Sequence, residues 1–158
     1  MKLLDIVIKE AIIPSLAATQ RDDAVTELID AIVKVGALSP ELRDEFVKAI
    51  IKREKRGSTG FGHGVAVPHV KHQAISKMAV AIGVSEGGVE FNALDQKPVY
   101  SIFLLLSPED QPEEHLDAME AIFGNLSQET FRRFLRQVKS TEHVLTLLEE
   151  ADANTTIH

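Results

Sequence analysis

Between Gly57 and His72 the chain reads GSTGFGHGVAVPHVKH, with four glycines and three histidines in sixteen residues. His69 stands directly behind Pro68, at the end of a short apolar run, Val65-Ala66-Val67. Proline fixes its own φ and restricts the residue before it. A strand end followed by proline therefore presents the His69 imidazole rigidly. Glycines let backbone N–H groups approach an anion closely. The combination points to an anion held by bare backbone beside a fixed imidazole.

Familiar phosphate loops do not account for the stretch. Gly57 and Gly62 have the outer spacing of a Walker loop, but His63 and Gly64 stand where Lys and Ser/Thr must follow. Gly60, Gly62 and Gly64 also miss the G-x-G-x-x-G dinucleotide fingerprint. A metal site is a competing reading. His63, His69 and His72 have ligand-like spacing, His115 could complete the set, and the protein would then be a histidine-rich metal binder or metal-dependent hydrolase. No H-E-x-x-H helix supports it.

Two more residues draw attention through the helices that carry them. At about 100° per residue, Arg53 falls within the arc set by Leu42, Phe46 and Ala49, one turn before the glycines. A guanidinium on an inward stripe needs a partner, and an anion at the glycines would be one. Arg56 lies nearer the edge of that arc. His115 precedes Met119, Ile122 and Phe123 by four, seven and eight residues, so it faces inward on a first helical turn.

The positioning elements follow from periodicity and punctuation. Ile12-Ile13-Pro14 reads as an edge strand. Thr19 and Asp22 suggest a capping-box variant opening a helix with the stripe Val25, Leu28, Ile29, Ile32, Val33, ended by Gly36. Ser39-Pro40 opens the next helix, which runs to about Lys55. Strands are expected over Met78–Val84 and Val99–Leu106, the second buried on both faces. A helix begins near Glu113, another is capped by Ser127, and a last one by Thr141. Residues 151–158 lack an apolar pattern and are expected to fray. The order predicts an α/β fold: one domain over 1–158, a mixed β-sheet flanked by helices.

Composition narrows the function classes. A net charge of −7 argues against a nucleic-acid partner. The absence of cysteine excludes disulfides, thiolate zinc sites and a cysteine nucleophile. No apolar run is long enough for membrane insertion, and no signal peptide is apparent, so a cytoplasmic location is expected.

The pattern R-E…GSTG-x-G-x-G-V-A-V-P-H-x-K, with the later run FLLLSPEDQPEEHLDAM, resembles the enzyme IIA domain of the fructose–mannitol type, which nitrogen-regulatory IIA proteins share. The resemblance covers almost the whole chain. It implies a phosphoenolpyruvate-dependent phosphotransferase component with no cofactor and a mixed sheet flanked by helices. His69 would accept a phosphoryl group on Nε2 from the histidine phosphocarrier protein, with Nδ1–H held by a backbone carbonyl. Arg53 and His115 would complete the catalytic set. Ser58, Thr59, Gly60, Gly62, His63 and Gly64 are the expected phosphate-binding segment. The group would pass to a sugar-specific IIB component, or its presence would signal to regulatory target proteins; the two roles are left open. Three departures stand out: His63 replaces the usual Asn or acid, Val70 replaces Gly and is expected to narrow the approach to His69, and His72 is an extra histidine.

Overall fold

The computed structural model describes residues 1–157, and His158 lies outside them. Six strands form one mixed sheet: β1 (Val7–Ile13), β2 (Gly60–Gly62), β3 (Val65–Ala66), β4 (His69–His72), β5 (Ala79–Val89) and β6 (Val99–Pro108). Their order is β1-β5-β6-β3-β2. β4 also pairs with β6, further along the same side as β3. β5 is antiparallel to β6; β1 runs parallel to β5, and β3 and β4 parallel to β6. Five helices cover the sheet: α1 (Arg21–Lys34), α2 (Arg43–Arg56), α3 (Pro112–Leu126), α4 (Glu129–Arg136) and α5 (Thr141–Ile157). The α/β architecture matches the expectation.

Strand β6 explains how the sheet holds both layers. Ile102, Leu104 and Leu106 join the core under α1 and α2. Phe103 and Leu105 join the core under α3, α4 and α5. Successive side chains alternate faces, so a strand apolar at every position is buried on both.

Helix α1 buries Val25, Leu28, Ile29 and Ile32 as its stripe predicts. Gly36 (φ 83°) ends it: its N–H reaches Val33 O, and Ala37 N–H reaches Ile32 O. This is the Schellman pattern, which requires a left-handed residue. Three expected caps are corrected. Gln20, not Thr19, is the α1 N-cap, and it makes no side-chain capping bond. Ser127 closes α3, donating to Gly124 O, while Gln128 precedes α4. Ser140, not Thr141, caps α5 by accepting from His143 N–H. Ser39 caps as expected, although the chain first makes a 3-10 turn over Pro40–Leu42.

Helix α5 continues beyond the point where the sequence suggests fraying. Ala151 and Asp152 are buried, and the Asp152 carboxylate accepts from the N–H groups of Leu3 and Leu4. An acid at a helical N-terminus satisfies donors that otherwise lack partners.

Candidate functional site

Pro68 interrupts what is otherwise one continuous strand beside β6. β3 pairs at Ser101 and Ile102; after Val67 and Pro68, β4 resumes pairing from Leu105 to Pro108. Pro68 offers its carbonyl to Leu105 N–H at 3.0 Å. The Val67 carbonyl instead meets the His69 ring, with Nδ1 2.9 Å from the oxygen. Only a protonated Nδ1 can bond a carbonyl, so this contact fixes the neutral tautomer and leaves the Nε2 lone pair free.

Alternation along β4 divides its residues between two surroundings. His69 lies on the α3 side, its ring centroid 5.7 Å from that of His115 at an interplanar angle of 53°. Val70 packs against the opposite core, under α1 and α2. It therefore does not narrow the approach to His69, which corrects that expectation. His72 also lies on the α2 side, 4.6 Å from the Phe46 ring, with Nε2 2.5 Å from Glu45 Oε2.

His115 occupies the first turn of α3 and is 9% exposed, confirming its inward placement. Its Nδ1 is buried and has no hydrogen-bond partner among the described residues. Burial pushes its pKa down, and the nearby Lys71 ammonium and the neighbouring His69 ring push it further the same way. The neutral ring is the resting form.

Helix α2 corrects the placement of Arg53. Its buried face consists of Phe46, Val47, Ile50 and Glu54, and Arg53 is exposed beside it. Its Nη1 donates to Gly57 O at 2.7 Å, tying the helix end to the glycine segment. The residue aimed inward is Glu54, which is 3% exposed. Its carboxylate accepts from Thr59 N–H at 3.0 Å and from the Thr59 hydroxyl. Ser58 Oγ accepts from Gly60 N–H at 3.0 Å, closing the next turn.

The candidate phosphate segment splits in two. Gly60 pairs with Ala66, and continuing that antiparallel register carries Ser58 and Thr59 back toward Val67–His69. Gly62, His63 and Gly64 form the turn at the other end of the β2–β3 hairpin, all with positive φ (115°, 61° and 74°). Val65 lies opposite Ser101 and His69 opposite Leu105, so about 13 Å of strand separates that turn from His69. Of the six candidates, Ser58, Thr59 and Gly60 are the ones brought toward His69.

Sequence reasoning missed Glu54 and a role for Lys71. Glu54 is one residue past the arginine that drew attention, and its signal is the hydroxyl-bearing loop five residues on. Lys71 follows from the two-residue period of a strand that already carries His69. As for metal, no group of three His, Cys, Asp or Glu among the described residues is placed to hold an ion.

The family model described as "Phosphoenolpyruvate-dependent sugar phosphotransferase system, EIIA 2" matches residues 5–151. The chain belongs to this EIIA family. A nitrogen regulatory protein of Klebsiella oxytoca is 36% identical over 128 residues, covering 80% of the chain and 79% of that protein. A fructose-specific EIIA component of Haloferax volcanii is 34% identical over 130 residues, 82% of the chain and 83% of its own length. The EIIABC fructose component of Bacillus subtilis is 28% identical over 152 residues, and the chain spans only 24% of its length. Among solved structures, nitrogen regulatory protein IIA-Ntr from Neisseria meningitidis superposes with a TM-score of 0.82 at 32% identity, covering 91% of the chain and 97% of that structure. The IIA mannitol structure from Escherichia coli gives 0.73 at 25%, covering 88% and 96%. An EIIA domain acts in phosphoryl relay or in regulation, and the metal reading is set aside. Among the described residues no helix is long and apolar enough to cross a membrane.

Proposed function

We propose that the chain is a phosphoryl carrier whose acceptor is Nε2 of His69. The observation that carries this reading is the 2.9 Å contact from His69 Nδ1 to the Val67 carbonyl, which in the neutral ring holds the proton on Nδ1 and leaves the lone pair on Nε2. The donor is the phosphohistidine of the histidine phosphocarrier protein. The Nε2 lone pair of His69 forms the new N–P bond as the donor's N–P bond breaks. The donor imidazole keeps that bond's electron pair, and neither water nor a cofactor takes part. Such a transfer asks little acid–base work of the protein; it asks for position and positive potential at the moving oxygens.

His115 supplies a donor. Its Nδ1 is sealed from any partner, and an orphaned acceptor is tolerated more readily than an orphaned donor. The proton therefore sits on Nε2, available to a phosphoryl oxygen. Lys71, on the same strand face as His69, adds positive charge. Arg53, being exposed, meets the phosphoryl group from the solvent side while its bond to Gly57 O holds the glycine segment. The Thr59 and Gly60 N–H groups are taken by Glu54 and Ser58 Oγ, so from this segment it is the Ser58 N–H that completes the surround.

Downstream, the similarity to freestanding fructose EIIA and to nitrogen regulatory proteins supports two destinations: a IIB component, or target proteins read by phosphorylation state. Either destination fits a cytoplasmic chain. The carrier reading is tested by mixing purified phosphorylated histidine phosphocarrier protein with this chain in EDTA. Rapid one-to-one transfer is expected. Transfer that requires an added divalent metal would contradict the reading.

A further inference from the structure

At the far end of β6 from His69, α4 and the β2–β3 hairpin border an open surface groove of about 450 Å³, lined by His63, Glu129, Arg132, Arg133, Arg136 and Gln137. Three guanidiniums and an imidazole converge here in a chain whose net charge is −7. Among the described residues, none of the three arginines has a carboxylate within 4.0 Å. Arg132 spends one N–H on Leu126 O, at 2.8 Å. The guanidinium of Arg136 lies 3.6 Å over the Tyr100 ring. That cation–π contact seats the guanidinium on the ring, while Arg136 also lines the groove. His63 reaches the groove from a left-handed conformation (φ 61°) that non-glycine residues seldom adopt.

We propose that this groove binds a small phosphate-bearing anion of the nucleoside diphosphate class. Arg132 and Arg133 provide forked donors that suit phosphoryl oxygens, and His63 adds a ring N–H. Arg136, braced on Tyr100, offers a flat cationic surface to a planar base. Glu129 decides between a nucleotide and bare phosphate. Its carboxylate repels any phosphate but accepts hydrogen bonds from ribose hydroxyls or a base amino group, which inorganic phosphate and pyrophosphate lack. Tyr100 is the second residue of β6 and His69 lies opposite Leu105, so the groove is about 16 Å along the strand from the histidine pair. The inference does not depend on the role given to His69.

The test is calorimetric titration of the full chain with ADP, pyrophosphate and inorganic phosphate, at a fixed ionic strength of about 0.15 M. ADP is expected to bind saturably and more tightly than pyrophosphate, with phosphate weakest. R133Q and R136Q should each weaken ADP by about tenfold or more, while H69A leaves it unchanged. The proposal is overturned by no saturable ADP binding up to about 10 mM, by equal affinity for pyrophosphate and ADP, by binding that survives both arginine variants, or by binding lost in H69A. A hexaglutamate peptide that binds the arginines more tightly than ADP would also overturn it, assigning the groove to an acidic protein partner.

Discussion

The imidazoles of His69 and His115 face each other with centroids 5.7 Å apart, one on a strand after a proline and the other on the first turn of a helix. The two rings are unequal. His69 has a carbonyl on Nδ1, whereas His115 has a buried Nδ1 with none and a depressed pKa. A phosphoryl dianion on His69 reverses the local charge and favours protonation of His115. Ring NMR titration should therefore show the His115 pKa rising when His69 is phosphorylated. An unchanged titration in the phosphorylated state, with an unchanged transfer rate in His115→Ala, would make it a core histidine only.

The same depressed pKa sets a pH dependence of stability. The unfolded chain takes up a proton at the ordinary histidine pKa, while folded His115 resists until lower pH. Below the unfolded value the unfolded state binds more protons, so stability falls as pH drops from there through the folded pKa. Urea unfolding across this window should show less of that fall in His115→Gln. Identical pH profiles would remove His115 as a cause.

Arg53 is exposed, and its fixed contact is the Gly57 carbonyl. Truncation at such a site costs little stability, within about 0.5 kcal/mol. Losing a preorganised positive group near the transferring oxygens costs on the order of 10²-fold in rate. Arg53→Ala is expected to slow transfer while melting almost as the parent does. A large loss of stability with full activity in the folded fraction would assign it a structural role.

Glu54 carries the opposite expectation. Its buried carboxylate holds both the N–H and the hydroxyl of Thr59. Glu54→Leu leaves that Thr59 N–H and hydroxyl without their acceptor, at a cost of about 1–3 kcal/mol. Denaturant midpoints should shift accordingly, and a change of a few tenths would show that water satisfies the loop equally well.

Gly60 is a close-approach position. A Cβ there would lie 2.8 Å from Ala93 Cβ and 3.2 Å from Ala93 Cα. Gly60→Ala must displace backbone, costing about 1–3 kcal/mol and moving Ser58 and Thr59. Both thermal stability and transfer rate should fall; a parent-like variant would show that the segment yields freely.

Much of this arrangement was legible in local pattern. The α1 stripe, the doubly buried β6 and the inward turn at His115 all follow from period and composition. The Arg53 placement failed because the buried face of α2 contains a carboxylate. Glu54 is buried only because Thr59 folds back onto it, a fact that periodicity does not contain. The glycine segment failed in a similar way. Four glycines announce unusual backbone, but only the register against β3 shows that Gly62–Gly64 make a turn while Ser58–Gly60 return toward His69. Caps shifted by one residue where neighbouring Ser, Thr and Gln compete for the same N–H groups.

In the proposed relay, one nitrogen of one histidine carries the phosphoryl group. Phosphorylating the ¹⁵N-histidine-labelled chain with phosphoenolpyruvate, enzyme I and the histidine phosphocarrier protein, then recording ¹H–¹⁵N and ³¹P spectra, tests it directly. A single acid-labile, base-stable phosphoryl group is expected on Nε2 of His69, with Nδ1 still protonated, and no labelling in a folded His69→Ala variant. Phosphate on Nδ1 of His69, on Ser58 or Thr59, or on another histidine of the intact protein would contradict it.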